Sequence, residues 1–366
     1  MTIYFYIIWR FLGNMLKVQI GIFILILLLN GTEQLRFLEQ KGAGFATTIW
    51  LILTSMPEVL FITFPLVILL GSLFTFLGLS RSSELVVVRA SGISALKILM
   101  GPVLTAVMLG MLGVAIFNPI IAATIRKHDT IRARFTGYDP NLLSFSKDGL
   151  WLRQSTELGS FIIQAKSAAN SGALLYGVRF HEFTPEGILL RRIEALRAQL
   201  FEGNWRLSQA TQWQFMDINL TAMNDITTFN RLDIPTDLTG DKILGSFRPP
   251  RKISIWKIPG FIQQLEASGF TSVRHRLFFQ SQLATPMLLA AMVLTGAVFA
   301  LRPSRFGNAG VMALIAVLSG FLLFALKNVV ESLGVAQEVP VLLAAWAPAT
   351  AALLIALALL LHLEDG

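Results

Sequence analysis

The chain has 366 residues, 54% of them hydrophobic and only 14% charged, with a mean hydropathy of +0.64. Soluble chains carry about 25% charge, so a soluble enzyme and a disordered chain are excluded and the protein is read as an integral membrane protein. The net charge of +8 comes without a long basic run, which fits the Lys and Arg of short cytosolic loops better than a nucleic-acid surface, and no nucleic-acid partner is expected. The sequence holds no Cys and only four scattered His, so disulfides, thiolate zinc and a His-rich metal site are not expected.

Charges inside apolar runs mark the ends of membrane spans, because Lys or Asp at the bilayer centre costs roughly 2.5 to 3.5 kcal/mol. On that criterion the first span covers about residues 12 to 34. A basic start before an apolar run also describes a secretory signal peptide, but Asn30-Gly31-Thr32 offers no A-x-A cleavage site, so the segment is expected to stay. The second span runs from about Thr48 to Leu79 and is interrupted by Pro57 and Pro65. The loop that follows predicts a short helix over 82–92, with Ser82 or Ser83 as its cap, Glu84 in its first turn and Gly92 to end it. Leu85 and Val88 share one face. Such a crosswise helix suits docking to a soluble partner; lying on the membrane, with Glu84 merely favouring the helix N-terminus, explains the pattern equally well. The third span covers about Leu96 to Ile125.

The next 150 residues have another character: Arg126 to Arg276 hold 20 Lys and Arg against 14 Asp and Glu. Turn signals recur at Asp148-Gly149, Asn170-Ser171-Gly172, Pro185-Glu186-Gly187 and Glu202-Gly203-Asn204. Between them lie strand alternations, such as Tyr176, Val178 and Phe180 against Arg179 and His181. Short strands at this spacing predict a β jelly roll. Trp151, Phe161, Tyr176, Phe180, Trp205, Trp213 and Phe215 are the aromatic candidates for its interior. Ser254 to Ser268 has Ile255, Ile258, Ile262 and Leu265 at helical spacing, either a helix on the outer membrane surface or a core helix of the β domain. Three more spans follow at about 278–301, 309–326 and 339–361. The expected fold is therefore an α-helical membrane protein with six transmembrane helices plus an inserted β jelly-roll domain. It divides at 1–125, 126–275 and 276–366.

Large domains translocate regardless of charge, so the short loops set the sidedness. With both termini cytosolic, the inner side holds Arg10, Lys17, Arg81, Arg89, Lys97, Arg302 and Arg305, and the outer side only Arg36, Lys41 and Lys327. The β domain is thus expected on the outer, periplasmic face. The sequence has no phosphate-binding G-x-x-x-x-G-K-[ST] loop, no H-E-x-x-H and no G-x-S-x-G. Catalysis by this chain has no visible residues.

Ser83-Glu84-Leu85-Val86 through Arg89-Ala90-Ser91-Gly92-Ile93-Ser94, then Phe117-Asn118-Pro119, Leu150-Trp151-Leu152-Arg153 and Ala344-Ala345-Trp346-Ala347-Pro348, resemble the LptF/LptG permease family of the lipopolysaccharide-export ABC transporter. Within it, the Trp-x-Pro block and the Pro65 to Gly71 stretch are more similar to the LptG branch. The resemblance implies a bacterial inner-membrane subunit with no cofactor of its own. Its partners would be a sibling, LptF-like permease, a cytosolic ATPase dimer that binds ATP and magnesium, lipopolysaccharide, and a periplasmic bridge protein at the β domain. It also implies that Glu84, with Leu85, Val88 and Arg89 around it, couples the chain to the ATPase. For a cargo with anionic phosphates and apolar acyl chains, Arg36, Lys41, Arg132 and Arg134 are the candidate phosphate contacts, and Phe61, Phe64, Leu69 and Leu73 the candidate cavity wall. Interfacial snorkelling and ordinary span packing are the alternatives for these two sets. A non-transporting mechanical signaller, typically of four spans, and an intramembrane hydrolase are the competing functions.

Overall fold

The computed structural model describes residues 2–41, 44–136, 143–146, 149–156, 159–169, 173–184, 187–201, 203–215, 223–236, 249–267, 271–301 and 309–365. The chain forms two compact units: Met1–Phe135 with Ser254–Trp256 and Val273–Gly366, and Thr136–Ile253 with Lys257–Ser272.

The first unit is helical. In chain order it contains α1 (Thr2–Lys41), α2 (Phe45–Arg81), α3 (Glu84–Ala90), α4 (Ala95–Leu112), a π turn (Gly113–Phe117) and α5 (Asn118–Thr136). After the second unit's α6 (Ile258–Ala267) come α7 (Val273–Leu301), α8 (Ala309–Val335) and α9 (Val341–Asp365). Among the described residues six stretches are long and apolar enough to cross a membrane: Ile3–Thr32, Phe45–Arg81, Ala95–Arg132, Val273–Ala300, Gly310–Val335 and Val341–His362. The expected six are all present, and the first begins earlier than residue 12.

Helix α7 is the centre of this unit. Leu288, Leu289, Met292 and Val293 pack with Ile68, Leu69, Phe11, Ala106 and Ala349. Leu294, Ala297 and Val298 join Leu73, Phe76, Leu79 and Leu360. Two glycines let backbones meet: a Cβ on Gly296 would sit 2.6 Å from Leu69 O, and one on Gly110 2.7 Å from Pro286 Cα. Small residues at such crossings gain van der Waals contact where the solvent offers no hydrophobic drive. Ser72 adds a polar tie, its hydroxyl donating to Val293 O at 2.7 Å.

The third span is not a regular helix. The π turn inserts one extra residue, and the loosened backbone takes outside donors. Trp256 Nε1 donates to Ala115 O at 3.1 Å, and Ile255 N donates to the buried Asn118 Oδ1 at 2.8 Å.

The second unit is a seven-stranded antiparallel sheet: β1 (Leu143–Ser146), β2 (Gly149–Thr156), β3 (Gly159–Ala169), β4 (Leu174–Phe183), β5 (Leu189–Phe201), β6 (Asn204–Phe215) and β7 (Met223–Pro235). The strand order is sequential, β1 through β7. The expected inserted β domain is there, and its described strands follow one another as a meander. The sheet nonetheless curls on itself. Thr236 Oγ1, just after β7, donates to Gln154 Oε1 of β2 at 2.7 Å, whereas five flat inter-strand steps would separate them by roughly 24 Å.

A line of interruptions crosses the sheet. The ladders pass over Lys166, Gly177, Leu196, Gln209 and Asn230, each opposite the next on neighbouring strands. The register is the same on both sides of the line, since one residue is passed over on each strand, but Gly177 and Gln209 have φ of 58° and 53°, and a residue out of the pleat shifts the inward face by one. Hence Val178 and Phe180 point inward as the alternation predicts, but before Gly177 the inward residue is Leu175, and Tyr176 lies outside with Arg197 stacked 5.5 Å from its ring centroid. Of the aromatic candidates, Phe161, Phe180 and Trp205 form the core, with the last two edge to face at 6.4 Å. Trp213 instead has Arg192 over its ring at 5.6 Å. Leu265 and Phe261 of α6 pack on the same core, so this helix takes the core role of the two alternatives.

Candidate functional site

The short helix between the second and third spans is built by its flanks. At the end of α2, Ser82 N donates to Gly78 O at 3.0 Å. Ser83 then takes a left-handed conformation, φ 60°, and turns the chain so that its carbonyl accepts from Val86 N at 3.1 Å and starts α3. Gly92, φ 80°, ends the helix as expected from a glycine beyond the last turn. Ser94 caps α4, accepting from Lys97 N at 3.4 Å. The helix thus spans seven residues, about two turns, within the expected 82–92, and among the described residues neither Ser82 nor Ser83 caps it through its side chain.

Glu84 is gripped by three side chains. Arg10 Nη1 donates to both carboxylate oxygens, at 2.8 and 2.9 Å. The Tyr6 hydroxyl donates to Oε2 at 2.9 Å and the Ser82 hydroxyl to Oε1 at 2.7 Å. Tyr6 lies one turn before Arg10 on α1, the guanidinium 5.7 Å from its ring centroid. The Arg10 hydrogen bonds first, then the Ser82 hydroxyl, hold the Glu84 carboxyl well below its ordinary value, at about 2. The carboxylate stays 37% exposed.

Around this polar grip the surface is apolar. Leu85 is buried and Val88 half-buried, both in the cluster of Ile7, Leu79 and Ile98, so they hold the helix to the bundle. Val86 and Val87, 65% and 69% exposed, form its outward edge. Helical spacing identified the face shared by Leu85 and Val88, but not that this face points inward. A cleft of about 330 Å³ opens beside Glu84 between the start of α1 and α3, lined by Ile3, Tyr6, Ile7, Leu79, Val87 and Val88 among others. The arrangement offers a partner one oriented, ionised carboxylate on an apolar ledge.

The lipid candidates separate. Arg36, in the last turns of α1, and Arg132, near the end of α5, are exposed. The side chains of Lys41, Arg134 and Arg89 lie outside the described residues. Leu69 and Leu73 are fully buried within the bundle, because the close crossing at Gly296 presses them against α7, so they are packing residues of this chain rather than a free wall. Phe61 and Phe64 are half-buried, with the Phe61 ring against Gly113 at the start of the π turn. Arg10 and Tyr6 are the residues sequence reasoning missed. Arg10 served there only as a charge marking a span end, and its partner lies 74 positions away. Among the described residues no group of three or more His, Asp or Glu could hold a metal ion.

Six apolar helices with a β unit inserted after the third define a helical membrane permease. Residues 5–362 match the family described as lipopolysaccharide export system permease LptF/LptG, and the chain belongs to that family. It is 27% identical over 332 residues to the lipopolysaccharide export system permease protein LptG of Escherichia coli strain K12, covering 88% of this chain and 86% of that one. It is 25% identical over 351 residues to the LptG of Haemophilus influenzae strain ATCC 51907 / DSM 11121 / KW20 / Rd, covering 93% and 94%.

Proposed function

We propose that this chain is the transmembrane subunit of an ATP-driven transporter that draws lipopolysaccharide out of the bacterial inner membrane for export to the outer membrane. A separate cytosolic ATPase dimer binds ATP and magnesium and docks on α3 through Glu84 and the Val86–Val87 edge. A sibling permease, LptF-like, pairs with the helical unit. Both termini are cytoplasmic, and the β unit is periplasmic and meets a bridge protein there. The observation that carries this reading is the family match over nearly the whole chain, together with an ionised, oriented Glu84 at the family's motif position between spans two and three. Arg36, Lys41, Arg132 and Arg134 hold lipid phosphate through charge-assisted hydrogen bonds and point charge, and the exposed parts of Phe61 and Phe64 meet acyl chains.

Purification from native membranes tests the assembly. Recovery with a sibling permease, an ATPase and bound lipopolysaccharide is expected, and ATP hydrolysis by the isolated chain would overturn it. Photo-crosslinkers at Arg36 and Phe64 test the lipid path. Lipid adducts are expected at both, and adducts at neither in a complex that still hydrolyses ATP would remove the first span from that path.

A further inference from the structure

We infer that Arg10 is the positioning residue that fastens the first span to α3, so that displacement of α3 by its docked partner is carried along α1 as one rigid helix to the basic residues at its far end. The inference rests on the coupling role proposed for Glu84 and adds to it the route by which the movement leaves α3.

Arg10 lies inside an apolar stretch, Ile3–Thr32, where an unpaired charge is costly. Its contact with both oxygens of Glu84, 2.8 and 2.9 Å away, satisfies that charge and at the same time crosses from α1 to α3. Tyr6 closes the clasp by donating to the same carboxylate.

Only the far half of α1 is lightly held. The first half is seated by buried Ile7 and Phe11, by Asn14 Nδ2 donating to Thr75 Oγ1 at 3.1 Å, and by Met15 against Gly71. Beyond that, Ile20, Ile24, Leu25, Leu28 and Leu29 are each at least half exposed, and Ile26 is the one buried apolar side chain described there. A helix gripped at one end and bare along the other swings from the grip. No proline interrupts Thr2–Lys41, so at 1.5 Å per residue the 26 steps from Arg10 to Arg36 span about 39 Å, and a tilt of roughly 10° at the clasp moves Arg36 by roughly 7 Å. The charge pair therefore joins the ATPase-facing helix to the end of α1 where the phosphate contacts are placed.

The natural chain has no Cys, which makes labelling site-specific. Spin labels at Leu28→Cys on α1 and Leu283→Cys on α7, both exposed, are introduced into the complete complex in lipid nanodiscs, and the inter-label distance is measured without nucleotide and with ATP and vanadate. The nucleotide-driven shift is expected in the otherwise natural chain, lost in Arg10→Gln measured with enough added ATPase to saturate the complex, and restored in Arg10→Lys. A full shift in Arg10→Gln, or no shift in the natural chain, overturns the inference. So does a shift in Arg10→Gln that returns to its natural size once added ATPase saturates the complex, since Arg10 would then act on docking alone. Glu84→Ala separates the two readings: an ATPase retained at natural yield and turnover sinks the coupling role itself, whatever the labels do. Should Arg10→Gln fail to assemble, Tyr6→Phe removes one bond of the clasp and a reduced shift is expected; an unchanged shift overturns the inference.

Discussion

Helices α1 and α7 look alike as sequences, both long, apolar and free of acidic residues in their first turns. Yet 67% of the most apolar stretch of α7 is buried inside the chain, against 6% of that of α1. Hydropathy reports the membrane and not the neighbours. What separates them is where small residues permit contact: Gly296 of α7 abuts the backbone of α2, while Gly13, Gly21 and Gly31 of α1 have no atom within 4 Å of where a side chain would begin. The bare face of α1 is built for lipid or for another chain.

Substitutions at these sites break the comparison most directly. Gly296→Leu forces α7 away from Leu69 O and is expected to cost about 3 kcal/mol, the upper end of overpacking. Thermal unfolding in detergent should show a large loss, and retention of natural stability would mean that α7 is not the organising helix. Glu84→Ala comes next. A fully buried interface charge loses roughly 2 to 5 kcal/mol when its partner is truncated; with this side chain 37% exposed, about 1 to 2 kcal/mol of ATPase affinity is expected to go. Membrane insertion should be unaffected, and titration of the ATPase against the reconstituted permease measures the difference.

Acidification gives a smaller effect with a definite sign. The Glu84 carboxyl falls from an ordinary value of 4.5 to about 2, so its contribution is complete above pH 4.5 and drains away as the pH drops toward 2. Labels across α1 and α3 should report an unchanged clasp throughout the neutral range and separation only in strong acid. Separation near pH 6 would mean that Arg10 is not the dominant partner. The smallest change belongs to Gly21→Ala, worth a few tenths of a kcal/mol to about 1 kcal/mol in favour of the helix. A stable chain that no longer pairs with its sibling would show that this face seats protein rather than lipid.

All six spans were legible because twenty apolar residues in a row have few other uses. Their edges were less so. Arg10 seemed to lie outside a first span of about residues 12 to 34, but it is neutralised by a residue 74 positions on, which no local pattern contains. Glu84 was visible from its motif, whereas its grip was not. Period-two alternation gave the inward face of β4 after Gly177 and missed it before, since a single left-handed residue reverses the pleat and Gln209 does the same without the glycine that would announce it. Leu69 and Leu73 read as a wall because composition cannot tell the inside of a bundle from its lipid face.

The sequential order of the seven strands has a consequence for assembly. Each strand pairs with the one made just before it, so the sheet can grow hairpin by hairpin as the chain emerges, with little entropy spent on closing long loops. Two events must wait: the Gln154 to Thr236 bond that brings β2 to the end of β7, and the arrival of Leu265 on the core. Until α6 is made, the apolar interior remains uncovered. A chain halted before residue 258 should therefore expose that surface to a chaperone or to an apolar dye, and extension through residue 267 should hide it.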